Sequence, residues 1–374
     1  MKSFLLTVVA AFPFLIPMVA CGAEDSELGE VQTVTLPNLQ GVTSVTITKE
    51  GKFVYAAAFQ ASAISVFERD AETGKLTSRD VLQGAEYNSA ICIRLSHDEN
   101  YAAAAHLFSS MVTLFKRDPA TGSLTKLSAI SESKEEPHGL QTAVDVEFSG
   151  DDHFLYVASS GGLGVFKVED GQLNFVQYEQ GNDKLHGVRG CALSPDGRWV
   201  YAAAGDPGVL GVFRRDETTG KLSQVQLLKD GDDDIASLAG AFRVAPSADG
   251  RQLYVSSGRF QGDQAVSAFE VQPDGSLKIL QQFINEKDDF TEFEGGNSLQ
   301  VSPDGKMIVA LTSVSDRIFR FSRDPSTGKL TFVTSQQAGT FAEPGAAGLC
   351  FSQDGKFLYV ADEKEGALQV YKLP

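Results

Sequence analysis

The chain has 374 residues, a formal net charge of −17 at pH 7 and 22% charged residues. Nucleic acid and anionic membrane surfaces need a basic face, so both are expected to be poor partners for a protein this acidic, whose charge serves solubility first.

Residues 1–21 hold one positive charge, Lys2, and then an apolar run from Phe4 to Ala20 that is interrupted by Pro13 and Pro17 and ends in Met18-Val19-Ala20-Cys21. A terminal, short and proline-broken run reads as a secretory signal and not as a membrane span. The small residue before Cys21 resembles a bacterial lipobox, which makes Cys21 the expected lipid attachment site; ordinary cleavage near Ala20 to Ala23 is the alternative. Both routes predict an extracytoplasmic protein, in the periplasm, outer membrane or cell surface, touching the membrane only through an N-terminal lipid anchor. Residues 22–30, GAEDSELGE, read as an acidic tether.

From Val31 onward one pattern repeats, and residues 187–225 state it most clearly. Val188 to Leu193 predicts a strand, Ser194-Pro195-Asp196-Gly197 a tight turn, and Val200 to Ala203 a second strand. Asp206-Pro207-Gly208 turns the chain into a third strand, Val209 to Phe213. Asp216 to Gly220 then turns it into a fourth, Lys221 to Leu227. The third-strand signature recurs as Val66-Phe67, Leu114-Phe115, Val165-Phe166, Val212-Phe213, Ala268-Phe269, Arg320-Phe321 and Val370-Tyr371, which is seven times. The turn after it occurs six times, because the chain ends at Pro374.

Four short strands in a unit of roughly 50 residues predict β-propeller blades. With seven third strands and six following turns, the last blade lacks its outer strand, and Val31 to Leu36 is the spare one. Pairing it with the final strand closes the ring and removes an exposed sheet edge. The expected fold is an all-β, seven-bladed propeller of four-stranded antiparallel blades over residues 31–374. No long window after residue 21 shows helical spacing, and Trp199 is the single tryptophan, which argues against a WD40-type propeller. Cys92, Cys191 and Cys350 fall on the same strand of three non-neighbouring repeats and read as buried small hydrophobes without a disulfide framework.

The SPDGR-x-x-Y and RD-x-x-TGKL phrases, at Ser194 to Tyr201, Arg215 to Leu222, Ser302 to Lys306 and Arg323 to Leu330, resemble those of the lactonase-type seven-bladed β-propellers. That group includes bacterial 6-phosphogluconolactonase and fungal carboxymuconate-lactonizing enzyme. The resemblance implies the propeller fold and, as an activity, hydrolysis of a sugar-like lactone. Members acting on sugar or muconate lactones have histidines just before an inner strand and an arginine in the upper loop of blade five. Arg259 matches that arginine, and His186, three residues before Arg189, matches the histidine loosely. The glutamate expected just before Arg243 is Ala241 here, and Gly296-Asn297 replaces an arginine at the head of the blade-six inner strand.

Strand direction puts the repeated turns on one face, called lower here, and the variable loops on the other, which is where function on a rigid scaffold concentrates. The upper face is expected to carry His106, His138, His186, Arg189 and Arg259, together with many acids. His97 and His153 fall in lower turns and read as solvated. On the innermost strands, alternate positions place Arg94, Asp145, Glu147, Arg243, Ser298 and Gln300 on one side, where charges must be paired or wet.

A lactone hydrolase needs a base to deliver water and a cation to hold the oxyanion. His186 or Glu147 are candidates for the base, and Arg189, Arg243 or Arg259 for the cation. Asp232, Asp234 and Asp289 lie in acidic loops offering oxygen ligands suited to Ca²⁺, without EF-hand spacing. The sequence has no GxSxG elbow, HExxH helix, Walker loop, GxGxxG fingerprint or CxxCH. Two functions stay open. One is an extracytoplasmic binding or scaffolding propeller, whose upper loops take a small molecule, glycan or envelope protein, and the departures from the family pattern favour it. The other is the lactone hydrolase, at the mouth of the central channel.

Overall fold

The computed structural model describes residues 27–181, 184–206, 208–259, 262–287, 289–339 and 345–374. The expected leader, the expected lipid attachment site Cys21 and most of the expected tether lie outside these. Seven four-stranded antiparallel sheets follow one another around a central axis, each with its strands in chain order from the inside out. The exception is the seventh, in which Gly29–Thr35 lies beside Ala367–Lys372 as the outer strand. The closing strand therefore begins at Gly29, two residues before Val31, and Leu28 packs into the core beside it.

The closing strand reproduces what four of the other six outer strands do. Gln177, Gln226, Gln281 and Gln336 each accept from and donate to the backbone of the outer strand of the next blade, at Leu222, Leu277, Leu330 and Leu28. Gln32 makes the same pair of bonds with Leu76 of blade one. The ring is thus tied at its circumference across the junction of the two ends of the chain.

The repeated apolar–aromatic pair has a geometric meaning that the strand pattern did not predict. In all seven blades the pairing register slips between those two residues, for example between Val212 and Phe213, and the outer strand carries one extra residue there. Such a bulge bends the strand and strengthens its twist, as a propeller blade requires.

The RD-x-x-TG phrases are also more than turns. Their arginines reach the preceding blade: Arg117 donates to Tyr55, Arg215 to Tyr156, Arg323 to Tyr254 and Arg69 to Tyr359. Each tyrosine donates in turn to the glycine carbonyl of the same phrase. Between the sheets the blades also share apolar, interleaved contact, as where Tyr156 and Val165 of blade three pack with Val200 and Phe213 of blade four. Two single-turn helices, Pro37–Leu39 and Ala85–Tyr87, are the helical elements among the described residues.

Candidate functional site

The inner strands carry the site, and a second set of bulges shapes it. Six of them slip register at their upper ends, inserting Thr43, Ile91, Arg189, Phe242, Asn297 and Ala347 as extra residues. A bulge re-aims the inserted side chain, so Arg189 and Phe242 leave the alternation of their strands at the upper end of the channel. Neither sequence position announces this.

Three arginines meet there. The Arg243 guanidinium lies 5.6 Å from the Phe242 ring centre and that of Arg259 lies 5.1 Å from it. Arg259 extends from the upper loop of blade five to Glu363 of blade seven, 2.7 Å away, with both side chains mostly buried. Burial holds the Arg259 pKa below its ordinary value; Glu363 works against this, while Arg243 and Arg189 reinforce it by repulsion. Arg189 stands 3.9 Å from the exposed Asp206. A cavity of ≈ 440 Å³ opens beside them, lined by Arg189, Gly205, Asp206, Ala239, Gly240, Phe242 and Gly262.

Below this mouth the channel wall holds a buried ionic network. Asp145, 2% exposed, accepts from Arg243 of blade five at 2.5 Å and from Arg94 of blade two at 3.3 Å. It also accepts from the Cys92 thiol at 3.0 Å and the Cys191 backbone N–H at 3.3 Å. Burial works to raise the Asp145 carboxyl, but Arg243 and Arg94 hold it below the usual carboxylate range. Arg243 crosses blade four to reach it because position 190 is glycine: a Cβ there would stand 2.5 Å from the Phe242 carbonyl and 3.4 Å from Arg243 Cδ. Glu147, one alternation further down, is pushed up to about 7 by burial, with Arg94 opposing and Asp145 reinforcing the shift. Burial likewise pushes the Cys92 thiol to about 11 and Cys350 to about 12, so both remain protonated.

The structure thus brings Arg189, Arg243 and Arg259 together at the mouth and places Glu147 with Arg243 in the channel beneath. His186 is exposed on the loop entering blade four. Asp232, Asp234 and Asp289 are exposed, and among the described residues no three His, Cys, Asp or Glu side chains gather as a metal site. His106 stands at the upper end of the second strand of blade two as expected, but it is wholly buried there, held by the Asn88 carbonyl and Thr113 hydroxyl. His97 is not merely solvated, since its Nδ1 pairs with Asp152 at 3.3 Å and that hydrogen bond raises its pKa against burial. Glu363, which completes the mouth, could have been singled out only as one of many acids predicted on the upper face.

The sequence profile of the family described as "Lactonase, 7-bladed beta-propeller" matches residues 93–233 and 245–374. The chain is 23% identical over 218 residues to the 6-phosphogluconolactonase of Bacillus subtilis (strain 168), an alignment covering 56% of this chain and 59% of that one. A protein from Lactobacillus plantarum superposes with a TM-score of 0.65 at 21% identity, over 82% of this chain and 86% of its own. A candidate 6-phosphogluconolactonase from Bacteroides uniformis gives 0.61 at 19% identity, over 78% and 87%. The propeller domain of Cps50 (Swd1) from Myceliophteria thermophila gives 0.68 at 14% identity, over 93% and 100%. At such identities the structural likeness speaks for the fold alone.

Proposed function

Because the chain belongs to the lactonase family of seven-bladed β-propellers, we propose that it hydrolyses a sugar-like lactone bearing an acid group at the upper mouth of the channel. The observation that carries this reading is the meeting of Arg189, Arg243 and Arg259 around Phe242 in a protein whose net charge is −17. Cations gathered against the overall charge suit an anionic ligand, and guanidinium groups suit both a carboxylate and the oxyanion of a tetrahedral intermediate. Two absences in the sequence, a glutamate at position 241 and an arginine at 296–297, favour a binding module instead. The mouth offers replacements for both from other blades: Arg189 and Arg243 as cations, and Glu363 as a carboxylate placed to take a proton from the attacking water. His186 is the second candidate for that base. Read as a secretory signal, residues 1–21 support a reaction outside the cytoplasm, which favours an unphosphorylated acid lactone.

The test is hydrolysis of a panel of aldono- and uronolactones by the purified protein, with and without EDTA, beside Arg259→Ala, Glu363→Gln and His186→Ala. Loss of an oxyanion donor lowers kcat/KM by about 10²–10³-fold, and Arg259→Ala is expected in that range. Turnover that survives Arg259→Ala removes the site assignment. Saturable binding of an acid lactone without turnover moves the protein to the binding reading.

A further inference from the structure

Beneath the mouth, the channel wall carries polar chemistry of which the proposed lactone hydrolysis uses only Arg243. A cavity of ≈ 270 Å³ is lined there by Arg94, Glu147 and Arg243, together with Ser44 of blade one and Ser298 and Gln300 of blade six. Asp145 is saturated by its four donors, but its neighbours are not. Arg94 spends its Nη1 on Ser44 and the Ile93 carbonyl and its Nη2 on Asp145, and Arg243 spends its Nη1 on Asp145 and the Arg189 carbonyl. Nε of Arg94, Nη2 of Arg243, the Glu147 carboxyl, the Ser298 hydroxyl and the Gln300 amide belong to side chains that line the cavity, and they make no hydrogen bond to the protein among the described residues. While Glu147 is protonated the charges do not balance either, with two guanidiniums against the single Asp145 carboxylate.

We propose that this cavity binds a small carboxylate anion, seated between the Arg94 and Arg243 guanidiniums and the Glu147 carboxyl, with Ser298 and Gln300 completing the wall. Planar guanidinium forks recognise a carboxylate through paired N–H donors. With a water occupying roughly 30 Å³, the volume suits an acid of a few carbons. The site shares Arg243 with the proposed hydrolase mouth but does not rest on that reading, because a mouth without lactonase activity leaves the cavity and its donors unchanged.

Anion uptake at this place is linked to a proton. Glu147 faces Arg94 and His97 from blade two and Asp145 on its own strand, while Arg243 and the protonated thiols of Cys92 and Cys191 complete the surroundings. Protonated, Glu147 donates to the anion; ionised, it repels it. With Glu147 titrating at about 7, its protonated fraction falls about tenfold between pH 6 and pH 8.

Formate is the probe, titrated calorimetrically into the full chain in halide-free sulfonate buffers at pH 6 and pH 8. The expected result is saturable binding whose Kd rises about tenfold at pH 8. In Glu147→Gln, which keeps a donor and breaks no ion pair, Kd becomes equal at the two pH values. Arg94→Gln, checked for folding by its melt, raises Kd at least tenfold at pH 6. No saturable binding at pH 6 means a cavity holding water only and overturns the proposal. A pH dependence that persists in Glu147→Gln overturns it as well, since the titrating group then lies elsewhere.

Discussion

Replacing Asp145 by asparagine tests whether the channel network is structural. The substitution keeps the size of the side chain and an acceptor for Cys92, but removes the negative charge facing Arg94 and Arg243, whose side chains are 27% and 17% exposed. Breaking a buried pair by removing one partner costs about 3–5 kcal/mol. Because both guanidiniums also border a cavity that water can enter, the lower end, about 3 kcal/mol, is expected at pH 7. With an m value of about 3 kcal/mol per M, that lowers the urea midpoint by about 1 M. Trp199, 8% exposed in blade four, reports unfolding by fluorescence, and coincidence with circular dichroism checks two-state behaviour. Because the folded Asp145 pKa lies below its unfolded value, its contribution is full above about pH 4 and is lost as pH falls through the folded pKa. The gap between wild type and Asp145→Asn therefore narrows below pH 4. A midpoint shift below about 0.3 M at pH 7, or a gap that does not narrow in acid, refutes the account of a charge-paired latch.

Two further outcomes follow from the same structure. Burial pushes His106 down to about 4, so the folded protein keeps it neutral while the unfolded chain protonates it below about 6.5. Stability should fall by up to about 1.4 kcal/mol per pH unit from pH 6.5 toward 4, and His106→Gln should flatten that slope in urea melts across the interval. Gly220 and Gly355 both have positive φ, +71 and +67, but a Cβ on Gly220 would lie 2.2 Å from the Phe154 ring whereas one on Gly355 meets nothing within 4 Å. Gly355→Ala should cost about 1 kcal/mol through backbone strain alone. Gly220→Ala should cost at least about 1 kcal/mol more through overpacking at the junction of blades three and four, and equal midpoints for the two variants contradict that.

Much of the candidate site was legible, in a particular sense. Alternation along the inner strands sorted Arg94, Asp145, Glu147, Arg243, Ser298 and Gln300 onto one side before any coordinates, because successive side chains of a strand point to opposite faces. Strand direction puts His106 at the upper face but says nothing of its burial, which tertiary packing over the strand end decides. The same reasoning read His97 as solvated, because the partner Asp152 comes from the turn of the next blade.

What the sequence determined by itself is what local chemistry writes and repetition counts: the turns, the strands between them, the number of blades, and the closing of the ring by the N-terminal strand. Each of those rests on residues within a few positions of one another or on a tally along the chain. The tertiary structure alone decided which charges meet. Arg259 finds Glu363 across 104 positions, and Arg243 finds Asp145 by passing over Gly190. The bulges at the heads of the inner strands turn Arg189 and Phe242 out of an alternation that the sequence leaves intact. A propeller brings residues from different blades to one axis, so its site is assembled from side chains whose separation in sequence carries no sign of their proximity.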